Sequence, residues 1–189
     1  MRSLHLPKQR GISLVETLVA TALGLLALVM STNSVLAVVV GESHSGTARA
    51  LVKSVEFARA EAAQRRSPVA ICGLDPRDAN VSAGQVRCVQ PGSTWQAGWI
   101  VYGDANLNGE LDDGEAVLQV SRGTDLVVHP ANDPAASAAI TFRPIGTLAS
   151  ATPRKLLVGG DGVQSAATQA VCVAIDGFTR VISAATTCQ

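Results

Sequence analysis

A long apolar segment follows a short basic leader at the start of the chain. Residues 17–41 contain no charged side chain and consist mainly of Leu, Val and Ala. This run exceeds the roughly 20 apolar residues that a membrane-spanning helix needs. Arg2, Lys8 and Arg10 precede it, and such basic residues stay on the cytoplasmic side of a membrane. We therefore expect a transmembrane helix over residues 12–41 and an exported part after it.

The next segment, residues 42–66, has the pattern of an amphipathic helix. It contains no proline, and Leu51, Val55, Ala58 and Ala62 recur at the i, i+4, i+7, i+11 spacing of one helix face. Pro68 ends the pattern, because the residue before a proline avoids the α region. We expect this helix to continue the apolar one and to pack its stripe against a sheet.

After Pro68 the chain changes to short β-like runs separated by turn residues, which predicts a globular head over residues 67–189. The dipeptide Asp176-Gly177 is a strong hairpin signal. The fold class is therefore α+β, with one long N-terminal helix packed on an antiparallel sheet. The predicted strands are 69–72, 85–90, 95–102, 116–121, 124–129, 139–143, 155–158, 171–175 and 178–182.

All the cysteines lie in the exported part, where disulfides form and persist. Cys72, Cys88, Cys172 and Cys188 allow three pairings. The two local pairings, Cys72 with Cys88 and Cys172 with Cys188, are favoured because each closes one hairpin or tail, and free thiols are the alternative. In the chain-entropy model, a disulfide that closes a loop of this size raises the free energy of unfolding by about 3 kcal/mol. Neither pair has the CxxC spacing of a redox or zinc site.

The junction Gly11-Ile12-Ser13-Leu14-Val15-Glu16 places one carboxylate at the mouth of the apolar run, where an unpaired charge is costly to bury. It resembles the class III signal of type IV prepilins and type II secretion pseudopilins. The resemblance implies that a prepilin peptidase removes residues 1–11, cutting between Gly11 and Ile12, and methylates Ile12. Glu16 would then pair with the α-ammonium of Ile12 on a neighbouring subunit. The alternative is an ordinary signal anchor or secretory signal peptide, whose apolar core precedes its cleavage site.

The whole layout, with Trp95–Tyr102 before an Asp/Asn/Gly loop, resembles the FimT/GspH group of minor pilins and pseudopilins. That resemblance implies a minor pilin that takes part in type IV pilus assembly, in an initiation or tip complex. Its partners would be the prepilin peptidase, the inner membrane, and other minor and major pilins that contact its N-terminal helix. The head would lie in the periplasm and later on the pilus surface. A type II secretion pseudopilin shares every one of these motifs.

The loop between residues 104 and 115 fits the calcium-loop pattern D-x-[DN]-x-[DN]-G-x5-E throughout. Its flanking segments are strands, however, whereas calcium loops of this type lie between helices. The alternative is a solvated acidic turn, for which Asp, Asn and Gly are natural residues. We expect no cofactor, with Ca²⁺ as the alternative. The candidate ligands are Asp104, Asn106, Asn108, Glu110, Asp112 and Glu115.

DNA capture is another function that the resemblance suggests, because some FimT proteins bind DNA through a C-terminal Gly-Arg-x-Arg motif. The matching segment begins at Gly177 and keeps Arg180, but Phe178 replaces the first arginine. Arg143, Arg154 and Lys155 are the other candidate contacts. Removal of the leader leaves 12 basic and 15 acidic side chains. A net charge of −3 favours ordinary surface charges over a polyanion-binding surface.

Catalysis has little support in the sequence. It contains no HExxH, GxSxG or phosphate-loop pattern. Of its three histidines, His5 lies in the leader, His44 on the stalk and His129 in the head. We therefore expect no enzymatic activity. A membrane-anchored periplasmic enzyme is the alternative from a different class.

Overall fold

The computed structural model describes residues 13–82, 85–123, 127–130, 139–159 and 169–189, with the side chains at 24–44, 127, 129 and 130 outside that description. The chain forms two compact units, Met1–Gly41 and Glu42–Gln189. Helix α1 covers Leu14–Arg65. It ends there because Arg66 adopts a positive φ of 54° and Pro68 disfavours further helix. No helix in the described residues has the length and apolarity needed to cross a bilayer. The membrane span predicted for residues 12–41 stays a prediction.

Within the described residues, the strands form two antiparallel four-stranded sheets, which confirms the predicted α+β class with antiparallel pairing. The first sheet has the order β3-β2-β1-β5 and the second has the order β4-β6-β7-β8. The bounds are β1 Val69–Gly73, β2 Gly98–Gly103, β3 Val117–Arg122, β4 Val127–Pro130, β5 Ile140–Phe142, β6 Arg154–Gly159, β7 Gln169–Val173 and β8 Thr179–Ser183.

Two details of the predicted strands were wrong. The segment 85–90 is not a strand: it makes one isolated bridge, between Leu74 and Cys88. The last hairpin has five connecting residues, 174–178, instead of two, because the amide of Gly177 donates to the carbonyl of Ala174 and closes a wider turn. Part of the predicted strand 124–129 falls outside the described residues.

The main hydrophobic core joins the helix to both sheets. Leu51, Val55, Ala58 and Ala62 are fully buried, which confirms the apolar stripe predicted for this face. They share one cluster with side chains of β1 and β2 and with side chains of β6 and β7. Polar contacts add to this packing, since the side-chain amide of Gln119 donates to Ser54 at 3.1 Å and that of Gln169 donates to Ser45 at 3.2 Å.

A second, smaller core covers the other face of the first sheet. Ile100 and Tyr102 point to it from β2 and pack with Leu74 and Val86, which belong to the segment after β1. Burial raises the pKa of the Tyr102 phenol, and the neighbouring carboxylates of the 104–115 loop act in the same direction. A disulfide joins Cys72 to Cys88 and ties this covering segment to β1.

Candidate functional site

The first turns of α1 expose an apolar surface around one carboxylate. Glu16 lies in the first turn, where a negative charge interacts favourably with the helix dipole. The predicted cleavage and methylation residues, Gly11 and Ile12, lie outside the described residues. The surrounding large side chains, between 53% and 75% exposed, are Leu14, Val15, Leu18, Val19 and Leu23. Such an exposed apolar patch is typical of a surface that is covered by a membrane or a partner.

The predicted calcium-loop residues lie together in one connection between β2 and β3, and their oxygens accept hydrogen bonds within the loop. Asp104 is fully buried. Its carboxylate accepts hydrogen bonds from the amides of Asn108 and Gly109, both at 3.1 Å, and from the hydroxyl of Thr141 at 2.9 Å. Asp104 therefore anchors the loop to β5.

The other end of the loop is closed by Glu115. One carboxylate oxygen of Glu115 accepts from the amide of Ala105 at 3.0 Å and the other from the amide of Asp112 at 3.1 Å. The side-chain amides of Asn106 and Asn108 both donate to Asp112 at 2.8 Å. Among the described residues, no group of three or more His, Cys, Asp or Glu side chains is arranged to hold a metal ion. The expectation of no cofactor stays a prediction, and calcium binding stays its alternative.

We expect the unfolding temperature of the purified protein to be the same in excess calcium chloride and in EDTA. The reason is that N–H and O–H donors already engage the carboxylates of Asp104 and Glu115. Differential scanning fluorimetry of the wild type, Glu115→Gln and Asp113→Asn is the measurement. The expectation would be contradicted if calcium raises the unfolding temperature of the wild type and of Asp113→Asn but not that of Glu115→Gln. That result would identify a calcium site.

The cations considered for DNA contact do not share one strand face. Lys155 and Arg180 lie in one cross-strand row, since each pairs with Cys172, and Arg154 precedes Lys155 on the opposite face of β6. Arg143 lies in the turn after β5. Three of these side chains are hydrogen-bonded to backbone carbonyls: Lys155 to Ala184 and Thr186, Arg143 to Ala149, and Arg180 to Gln189. The interpretation of these side chains as ordinary surface charges stays a prediction, and DNA binding stays its alternative.

The covering segment between Cys72 and Cys88 holds two ion pairs that no motif in the sequence indicates. The Arg77 guanidinium bonds both oxygens of Asp75, the shorter contact being 2.6 Å, and these bonds lower the pKa of Asp75 to about 2. Arg87 bonds both oxygens of Asp78 at 2.9 Å, which lowers the pKa of that carboxyl.

Asp75 should make the stability of the protein pH-dependent in acid. Its pKa falls from 3.8 to about 2 on folding, so its contribution is complete above about pH 4 and is lost as the pH falls through 2. We expect that contribution to be about 1 kcal/mol or less, because Arg77 is largely exposed. Between pH 5 and pH 2, the free energy of unfolding measured in urea should therefore decrease less for Asp75→Asn than for the wild type. An equal loss in both proteins would contradict the assignment, and Asp113→Asn is the control.

Arg59 is a further residue whose contacts no motif in the sequence indicates. Its Nε donates to the carbonyl of Gly146 at 2.9 Å and its Nη2 donates to the carbonyl of Asp176 at 3.2 Å. Its guanidinium lies 4.7 Å from the ring centroid of Phe178, a cation–π distance. Arg59 thus joins α1 to the turn after β5 and to the β7–β8 hairpin. Arg59 lies four residues after Val55 and three before Ala62, so the sequence places it beside the buried stripe.

Comparison with known proteins agrees with this architecture. Two crystal structures of the type IV minor pilin FimU from Pseudomonas aeruginosa strain PAO1 are similar in fold. The first has 20% identity and a TM-score of 0.52, covering 75% of this chain and 94% of that one. The second has 19% identity and a TM-score of 0.51, covering 75% and 90%. A search of curated proteins finds no match.

The family comparison covers most of the unit Glu42–Gln189. The family described as type II transport protein GspH matches residues 47–177, which include the C-terminal part of α1 and the strands of both sheets up to the β7–β8 hairpin. Since this match spans well over half of the chain, the protein belongs to the GspH family, the FimT/GspH group of minor pilins and pseudopilins.

Proposed function

We propose that the protein is a minor pilin that takes part in type IV pilus assembly, in the complex that initiates or caps the filament. The observation that carries the proposal is the exposed apolar surface of α1 around Glu16. Lipid covers this surface before assembly, and the helices of neighbouring pilins cover it afterwards. The apolar surface is therefore never transferred to water, which makes extraction from the membrane energetically feasible.

In this proposal, Glu16 determines the position at which each subunit joins its neighbour in the filament. A prepilin peptidase cuts after Gly11, and the new α-ammonium of Ile12 on one subunit meets Glu16 of its neighbour. The two charges compensate each other in a low-dielectric environment, whereas one charge left alone there is strongly destabilising. The likeness in fold to the type IV minor pilin FimU supports the assignment of the chain as a minor pilin. The head is exported and stays in the periplasm until the filament carries it to the cell surface.

Replacement of Glu16 by alanine should prevent incorporation into the filament. An unpaired buried charge costs about 3 kcal/mol, which corresponds to about a hundredfold loss of incorporation. The measurement is the amount of this protein in pili sheared from cells that express Glu16→Ala, compared with its amount in the membrane fraction. Glu56→Ala is the matched control, since Glu56 is an exposed glutamate on the same helix. Wild-type incorporation of Glu16→Ala would overturn the proposal and favour a membrane-anchored enzyme.

A pseudopilin of type II secretion is the second candidate, because the matching family is described as a type II transport protein. A strain that lacks the gene separates the two functions. Loss of sheared pili with normal export of secreted enzymes supports the pilus role. Loss of export with normal pili supports the secretion role, and loss of DNA uptake alone supports capture of DNA.

A further inference from the structure

An apolar patch on the head stands out among the described residues. Ile145 is 78% exposed, Phe178 66% and Ile175 49%. Ile145 lies in the turn after β5, and the other two flank the Asp176-Gly177 turn. We call these three side chains the hairpin patch. The two turns are in direct contact, since Leu148 donates to the carbonyl of Ile175 at 2.9 Å.

The hairpin patch is held in place from below. A Cβ built on Gly177 would lie 2.1 Å from the carbonyl oxygen of Gly146, so the two turns approach more closely than any side chain would allow. Arg59 hydrogen-bonds a carbonyl of each turn and lies under the ring of Phe178. Phe178 is therefore supported in an exposed position, and the rigid arrangement lowers the entropic cost of binding a partner.

Charges of both signs surround the hairpin patch. Arg143 and Asp176 are exposed beside it, and Arg59 lies beneath Phe178. DNA or an anionic lipid surface would meet the Asp176 carboxylate unfavourably, and the phosphate backbone of DNA offers no apolar surface to the exposed isoleucine side chains. A protein surface can satisfy an apolar centre and both charge signs together.

We propose that the hairpin patch binds the head of a neighbouring, different pilin, which presents an apolar side chain flanked by a carboxylate for Arg143 and by a cation for Asp176. This inference rests on the proposed function, because the filament supplies the neighbouring head. The acidic loop of a second copy does not fit these requirements. It exposes Leu107 among carboxylates but contains no Lys or Arg between residues 104 and 115, so it has no cation for Asp176.

Photo-crosslinking in living cells tests this surface with the full-length protein. A photoreactive phenylalanine analogue replaces Ile145 or Phe178, and the control position is Gln90, an exposed residue before β2. The expected product from 145 and 178 is a crosslink to the head of another pilin, at a peptide that contains both acidic and basic residues. A crosslink to a second copy of this chain, to DNA or to lipid overturns the inference. So does a yield no higher than that at Gln90.

A variant series connects this contact to assembly. For this series the photoreactive residue replaces Ile175. Combining Ile145→Ser with Phe178→Ser should reduce both the crosslink yield and the incorporation into filaments by about tenfold, the usual scale for central contact residues. Leu107→Ser is the matched control, because Leu107 is an exposed apolar residue outside the patch. The unfolding midpoint of the double variant is measured alongside, so that misfolding is not mistaken for lost contact. Wild-type incorporation of a folded double variant overturns the inference.

Charge reversal gives a test that does not depend on the apolar residues. Arg143→Glu should weaken the crosslink, and replacement of the partner's carboxylate by lysine should restore it. Absence of any restoration at every acidic position in the crosslinked peptide overturns the inference. Its failure is distinguishable from failure of the proposed function. If deletion of the gene abolishes pili but the Ile145→Ser, Phe178→Ser chain restores them fully, only the inference fails; if deletion changes nothing, the proposed function fails.

Discussion

Replacement of Gly177 by alanine is expected to lower the free energy of unfolding by about 3 kcal/mol. Gly177 has a φ of 83°, in the left-handed region that disfavours a Cβ, which accounts for about 1 kcal/mol. The added methyl would also lie 2.1 Å from the Gly146 carbonyl oxygen and 2.9 Å from Nε of Arg59. Relief of that contact separates the two turns and breaks a hydrogen bond of Arg59, at a further cost of about 2 kcal/mol.

Gly114→Ala separates the two contributions to this loss. Gly114 has a φ of 95°, but a Cβ there meets nothing within 4 Å. It should therefore show only the backbone cost of about 1 kcal/mol. Urea unfolding of the purified wild type and both variants gives the comparison. Equal losses for Gly177→Ala and Gly114→Ala would mean that the turns move apart freely, contrary to the packing described here.

Removal of the disulfide between Cys72 and Cys88 is expected to lower the free energy of unfolding by about 3 kcal/mol, the value for a closed loop of this length. Cys72→Ala combined with Cys88→Ala avoids placing a hydroxyl at the fully buried position 72. The segment between them joins no strand ladder: it makes one isolated bridge, between Leu74 and Cys88, and is otherwise held by short turns and by hydrogen bonds from the Arg122 side chain to the carbonyls of Ala79 and Val81. Without the disulfide it should detach readily and expose the second core, where Leu74 and Val86 pack against Tyr102.

The pair Cys172 and Cys188 is the matched comparison, because both disulfides have a sequence separation of 16. Chain entropy alone predicts equal losses for the two double variants. The second loop contains β8, which pairs with β7 along its whole length and stays in place without the disulfide. The Cys72 and Cys88 variant should therefore have the lower urea midpoint. A lower midpoint for the Cys172→Ala, Cys188→Ala variant would contradict this account.

Much of the candidate site is readable from the sequence because its signals are local. The position of Glu16 at the mouth of an apolar run, the buried stripe from Leu51 to Ala62, and the Asp/Asn/Gly spacing of the 104–115 loop all depend on neighbouring residues. The Arg59 contacts are different, since Arg59 bonds residues 87 and 117 positions away. No spacing rule connects such distant residues, and the same holds for the contact between Thr141 and Asp104.

The sequence by itself determined the α+β class, the end of α1 near Pro68, the helix face that is buried, and most of the strands. These features follow from periodicity and from backbone preferences of Gly and Pro, which act over a few residues. Only the tertiary structure decided that the strands divide between two sheets, that residues 85–90 cover a second core without joining a ladder, and that the turn with Ile145 packs against the hairpin with Phe178. Strand pairing and surface proximity depend on which distant segments pack together, and that depends on the packing of the complete core.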